Sequence, residues 1–155
     1  MNRNRLHFAT ATAFVAILAI AGCKKEEPAA VAPPPVAAAK APATVSVIGV
    51  DLGTSVGENM KLNAAMTTFG PTDTIIAAVA TATSDPAASV SAKLGVKWSD
   101  KDGKVINDES KDAKFTGNGV TDFRIANPAG YPVGKYKIEI LLNDNVVQSK
   151  EFEVK

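Results

Sequence analysis

The side chains most enzymes depend on are nearly missing from this chain. It has one histidine, His7, and one cysteine, Cys23, both near the start of its 155 residues. A single thiol cannot close an intrachain disulfide, so any fold must be held by packing alone. Zinc and copper sites draw on His and Cys, and a Ser-His pair needs an imidazole. The Ser-x-x-Lys pattern of serine–lysine hydrolases is absent throughout. Gly53 and Gly57 have neither the spacing nor the following helix of a phosphate loop. Charge is almost balanced, 17 basic against 16 acidic residues, with no basic stripe for nucleic acid and no acidic tail. Carboxylates and lysines are what remain for chemistry, so the expectation is a protein that is not an enzyme and takes no cofactor.

Long apolar runs are scarce too. The main one, Ala9 to Ile20, is about a dozen residues, well short of the roughly 20 that a membrane-spanning helix needs. Arg3 and Arg5 precede it and small residues follow it, the layout of a secretory signal. It ends in Ile20-Ala21-Gly22-Cys23. This segment resembles the signal of bacterial lipoproteins, whose motif closes on a small residue and then Cys. The resemblance implies that residues 1–22 are cleaved and that Cys23 carries a thioether-linked diacylglycerol, usually with a further acyl chain on the new amine. Two or more chains hold a protein stably on its membrane where one does so only marginally. Lys24 stands where an Asp implies retention at the inner membrane, so the implied address is the periplasmic face of an outer membrane. A plain secreted protein with a free thiol at Cys23, or an uncleaved apolar helix, is the alternative. On the lipoprotein reading, His7, Arg3 and Arg5 leave with the signal, and the remaining 15 basic and 16 acidic residues give a net charge of −1.

Few aromatics, many prolines and alanines mark the next stretch. Residues 24–43 open Lys-Lys-Glu-Glu and continue in Pro, Ala and Val, including Pro33-Pro34-Pro35, with no apolar period of 3.6 or 2. Such a segment favours extended polyproline conformation, and at roughly 3.1 Å per residue it reaches about 60 Å. The lipidated Cys23 and this linker make up residues 23–43. Its role is either reach or solubility.

Residues 44–155 are enough for one domain with one core. Thr44 to Val50 alternates with Val45, Val47 and Gly49 on one face. Thr74 to Thr83 is rich in Thr, Ile and Val. Val90 to Trp98 sets Val90, Leu94, Val96 and Trp98 against Lys93 and Lys97. Gly119 to Ile125 puts Phe123 and Ile125 in phase, and Lys135 to Leu142 puts Tyr136, Ile138, Ile140 and Leu142 opposite Lys135, Lys137 and Glu139. Val146 to Val154 closes the chain after an Asn143-Asp144-Asn145 hairpin link, and Asp102-Gly103 is a turn before Val105. About seven strands between turn residues, without a convincing amphipathic helix, predict an all-β two-sheet sandwich.

From residue 44 onward the chain resembles an immunoglobulin-like or fibronectin-type-III-like domain. Trp98 matches the core tryptophan of the third strand, and Gly130-Tyr131-Pro132-Val133-Gly134-Lys135-Tyr136 matches the corner before the sixth, with Tyr136 as the corner tyrosine. Ile138 holds the place of the second disulfide cysteine of antibody domains. These motifs are structural and imply no reaction.

Candidate sites are few. Ser99 to Asp112 reads as an acidic loop whose Asp100, Asp102 and Asp108 are weak candidates for a calcium ion. Glycine in Asp100-Lys101-Asp102-Gly103 comes two residues early for the twelve-residue calcium loop, and Lys101, Lys104 and Lys111 interleave, so no metal is expected. Strand phase buries Trp98, Phe123, Tyr136 and Phe152, leaving Tyr131 and Phe115 (with Phe69) as possible ligand contacts, although one tyrosine beside a proline is usually a packed corner. Leu52 to Pro71 is the least regular stretch, with Met60, Leu62, Met66 and Phe69 as an extra edge strand or an adaptable surface. The expectation is a lipid-anchored, non-catalytic binding or accessory module for another envelope protein, with no nucleic-acid partner. A carbohydrate- or peptidoglycan-binding module on the same anchor is the alternative, and it requires exposed aromatic rings.

Overall fold

A computed structural model describes residues 40–155. Cys23, the signal segment and nearly all of the linker lie outside the described residues. Eight strands run in order: β1 (Val45–Gly53), β2 (Thr68–Phe69), β3 (Ile75–Thr83), β4 (Ser89–Ser99), β5 (Val105–Thr116), β6 (Asn118–Ile125), β7 (Gly134–Leu142) and β8 (Asn145–Val154), with one 3-10 turn at Glu58–Met60. They form a three-stranded sheet in the order β1-β3-β6 and a five-stranded sheet in the order β2-β8-β7-β4-β5. All strand pairs are antiparallel except β2 with β8. The protein is an all-β, immunoglobulin-like sandwich. No helix among the described residues is long and apolar enough to cross a membrane.

The strands read from the sequence appear with shifts of about one residue at their ends, except β1, which runs on three residues past Val50 to Gly53. In β7, Tyr136, Ile138 and Ile140 are buried while Lys135 is exposed. Asn143 and Asp144, at φ 51° and 65°, make the two-residue turn into β8. Positive φ at both central positions matches the right-handed twist of the flanking strands, which is why Asn and Asp serve here. Asn143 also prolongs the neighbouring ladder: its N–H donates to Lys93 O at 2.8 Å, and its Oδ1 accepts from Lys93 N at 3.0 Å.

Between the sheets the core gathers around Phe152. Phe69 and Trp98 meet it edge-on at 5.7 and 5.8 Å between ring centroids, and Tyr136 stacks on it at 5.3 Å. Offset and edge contacts of this kind add to the gain from area burial. The Tyr136 hydroxyl donates to Pro132 O at 2.7 Å, which closes the corner before β7 as the resemblance implies. The Trp98 indole N–H has no hydrogen-bond partner among the described residues, so this side chain acts by filling volume.

Four expectations change. β1 does not keep one phase: a bulge at Ile48 leaves it 59% exposed and places Val50 and Leu52, rather than Gly49, in the core. The Ser99-to-Asp112 segment is no loop beyond its first residues. It is a hairpin whose tight turn covers Asp100 to Lys104 and whose second arm is the start of β5. The Leu52-to-Pro71 segment is not an edge strand on the core either. Beyond the end of β1 it gives only the two-residue strand Thr68–Phe69, while Met60 and Met66 are exposed. The rest folds back through a Val56–Leu62 bridge and a Met66 N–H to Leu52 O bond of 2.7 Å. Last, Tyr131, Phe115 and Phe69 are all buried.

That excursion, residues 54–67, packs on the outer face of the three-stranded sheet. Leu62 and Ala65 face Ala78, Ala80 and Val120 across a hollow of about 280 Å³. Gly53 is where the loop comes closest: a Cβ there would stand 2.5 Å from Ala64 O and 3.0 Å from a Leu62 methyl. Because of this cover, the first five residues of β3 are buried on both faces.

Candidate functional site

The acidic residues do not assemble. Asp100 is a turn cap: its Oδ1 accepts the Asp102 and Lys104 amides, each at 2.9 Å. Gly103, at φ 78°, completes this turn with its N–H on Asp100 O. Asp102 pairs with Lys101 at 2.6 Å, and Asp108 lies opposite Lys97 on the outer face. Among the described residues no group of three or more His, Cys, Asp or Glu side chains is placed to hold a metal ion. Asp100 thus shapes the turn, Asp102 pairs with Lys101, and Asp108 stands across from Lys97 in the ladder.

Phe115 and Tyr131 owe their burial to different causes. Phe115 pairs with Val90 near the end of β5 and points into the core. Tyr131 lies in no strand. Its N–H donates to Pro71 O at 2.7 Å, and its ring meets Tyr136 edge-on at 6.1 Å, so the β6–β7 loop folds inward against the β2–β3 link. Neither ring offers an exposed platform. Burial raises the Tyr131 phenol above its usual range, and the Tyr136 ring beside it pushes the same way. Tyr136 is raised by burial first and by Asp100 and Asp102 after that, with Lys101 opposing. Both hydroxyls therefore stay protonated well past neutrality.

Tyr131 does border a cavity. At this end of the sandwich a space of about 290 Å³ opens between the β4–β5 turn and the β6–β7 loop, walled by Asp100, Asn107, Tyr131 and Tyr136 together with Ile106, Ile125 and Pro132. A larger hollow of about 460 Å³ lies over the outer side of β4 and β5, between Lys93, Asp112 and Lys114. There Lys93 is already paired with Asp144 at 2.9 Å. Its ammonium is held charged first by that hydrogen bond and then by nearby carboxylates.

The sheet edges form the other surface of interest. Each seam between the sheets is crossed by a lysine that donates to a backbone carbonyl of the opposite edge. Lys150 of β8 reaches Val50 O of β1 at 2.9 Å and also Asp51 at 3.0 Å. Lys111 of β5 reaches Asp122 O of β6 at 3.0 Å, with its ammonium 4.5 Å from the Phe123 ring centroid and 3.3 Å from Glu109. Charged side chains turned inward at an edge are a recognised guard against unselective strand pairing. Beyond them, among the described residues β5 pairs with β4 along one side and with no strand along the other. Sequence reading took Lys111 only as a charge interleaved in the acidic segment and passed over Lys150, because a lone polar residue in a strand carries no sign of which edge it will face.

No known protein family matches the chain, and no curated protein does either. Several solved structures align with about three quarters of the chain. An immunoglobulin-like protein from Pseudomonas aeruginosa aligns with 72% of this chain and 97% of its own, at 13% identity and a TM-score of 0.44. The CARDB domain of a Pyrococcus furiosus protein, solved in complex with di-metal ions, aligns with 73% of this chain and 87% of its own, at 13% identity and a TM-score of 0.42. An alkylpurine DNA glycosylase from Pseudomonas fluorescens, bound to DNA containing an abasic site analogue, aligns with 72% of this chain at 12% identity and a TM-score of 0.48. This chain spans 30% of that enzyme's length. At such identities the likeness says nothing of activity, ligand or partner.

Proposed function

We propose that this protein is a lipid-anchored, non-catalytic binding module of the bacterial cell envelope, held at Cys23 to the periplasmic face of an outer membrane and engaging another envelope protein through a sheet edge. The anchor rests on the Ile20-Ala21-Gly22-Cys23 motif and the linker on the Pro/Ala composition of residues 24–43. The observation that carries the binding role is β5, a twelve-residue strand with an open side. An extended segment added there would gain main-chain hydrogen bonds along its length, with selectivity from the alternate side chains. The inward Glu109 and Lys111 support selective pairing over self-association. A sugar platform finds less support, since Tyr131 and Phe115 are buried.

The test is a crosslinking pull-down from native membranes, read by mass spectrometry, with a photo-crosslinking residue at Asp108 on β5 or at the exposed Val133 as control. One envelope protein captured from Asp108, and lost in Cys23→Ser, is the expected result. Equal capture from both positions, or capture of abundant bystanders only, overturns the edge reading. Unchanged membrane association of Cys23→Ser overturns the anchor.

A further inference from the structure

The cavity at the Tyr131 end has one carboxylate in its wall and no cationic side chain. Asp100 commits Oδ1 to two backbone amides, and its Oδ2 has no protein partner among the described residues. The side chains of Asn107 and Tyr131 likewise make no hydrogen bond to protein among the described residues, although both border the same space. Lys101, the nearest basic residue in sequence, bonds Asp102 rather than Asp100, and acts on Asp100 and Tyr136 only through space. Ile106, Ile125 and Pro132 supply apolar walls. At about 290 Å³ the space falls at the small end of the ~300–1,000 Å³ typical of small-molecule sites, a size for one extended side chain rather than a chain of rings.

These groups call for a particular donor. A primary ammonium has three N–H donors and no acceptor, and it carries the charge that a carboxylate with one uncommitted oxygen attracts. Asp100 Oδ2, Asn107 Oδ1 and Tyr131 Oη are three acceptors, and the apolar walls suit an alkyl stem. We infer that this cavity receives a primary ammonium on an alkyl stem, of the kind presented by a lysine side chain, with Asp100 supplying the charge and Asn107 and Tyr131 the remaining acceptors. The raised Tyr131 phenol keeps its hydroxyl intact at neutral pH, free to turn its lone pairs to the ligand. The inference goes beyond the envelope reading above and does not depend on the anchor or on β5.

The experiment is an NMR titration of the purified full chain in detergent micelles, near neutral pH, with n-butylamine hydrochloride and with n-butanol as the uncharged control. Saturable shifts of the Asn107 side-chain amide, the Tyr131 backbone amide and the backbone amide of Ala126, another wall residue, by the amine, and none by the alcohol, are expected. Asp100→Asn keeps an oxygen for the Asp102 and Lys104 amides, so the turn survives. It should weaken amine binding about tenfold to a hundredfold, the range of a charged hydrogen bond. Tyr131→Phe should weaken it by a smaller factor. A blocked peptide whose only amine is a lysine side chain should bind, and a glycine peptide whose only amine is its N-terminus should not. Equal shifts from n-butanol, unchanged affinity in Asp100→Asn, preference for the N-terminal amine, or no saturation with any probe would each overturn the inference. A negative result leaves the pull-down reading intact, because the titration needs neither membrane nor partner.

Discussion

The two sheets of this sandwich treat their outer faces in opposite ways. The five-stranded sheet faces water with a grid of charge. Lys97 lies between Asp108 and Glu139, Lys137 bonds Glu139 at 2.7 Å and sits opposite Glu151, and Lys135 sits opposite Glu153. The three-stranded sheet has Ile76, Ala78, Ala80 and Ala82 along the middle of its outer face and takes part of its cover from residues 54–67. A charged face alternates cleanly and needs no further structure. An apolar outer face is stable only when something from elsewhere in the chain lies over it.

The comparison can be broken at several points. The largest effect is expected from Phe152→Ala, which empties the shared core beneath both sheets. A loss of about 3–5 kcal/mol in denaturant unfolding is the expected size for a buried phenylalanine. Next is Gly53→Ala, which acts on the three-stranded sheet alone. The new methyl meets the Ala64 carbonyl, so the 54–67 loop must lift, at about 1–3 kcal/mol for overpacking. Hydrogen exchange should show the Met66 amide losing protection while Ile138 and Ile140 stay protected. Unchanged exchange at Met66 would mean that the loop yields without leaving the sheet.

Tyr136→Phe tests the corner where the two sheets meet at the Tyr131 end. Losing the bond to Pro132 O should cost about 0.5–1.5 kcal/mol. The same tyrosines give a pH signature. Their folded pKa values are raised, so the native state keeps protons that the unfolded chain has already released. Their contribution is therefore fully present below the ordinary phenol pKa of 10.0 and is lost as pH rises through the higher folded values. Alkaline unfolding followed by tyrosinate absorbance should begin above that point and be less steep in Tyr136→Phe. The smallest effects belong to the seam lysines. Lys150→Met keeps the stem but removes the contacts to Val50 O and Asp51, and should cost no more than about 1 kcal/mol, less at high salt. Salt-independent destabilisation would point to packing instead.

How much could be read beforehand follows from the same contrast. Strands β4 and β7 were legible because one face is charged and the other apolar, which gives a period of two. The β7–β8 turn was legible from Asn143-Asp144, and the corner from Tyr131 to Tyr136. β5 was not, because its inward positions include Asn107, Glu109 and Lys111, which erase the alternation. Their polarity makes sense only beside Asp122 and Phe123 of the other sheet, which are contacts no local pattern contains. Tyr131 stayed open between packed corner and ligand contact for a related reason: outside a strand there is no phase from which to infer burial. The cavity at that end depends on two loops meeting, one from each side of β5 and β6.

By itself, the sequence determined the all-β class, the strands with one charged face, the tight turns and the expectation of a lipid-bearing Cys23, because each is written in neighbouring residues. Tertiary structure alone decided that residues 54–67 cover the three-stranded sheet, that Lys111 and Lys150 cross the seams, and that Asp100, Asn107 and Tyr131 border one cavity. Those features join residues far apart in the chain, and only the packing of one sheet on the other brings them within reach.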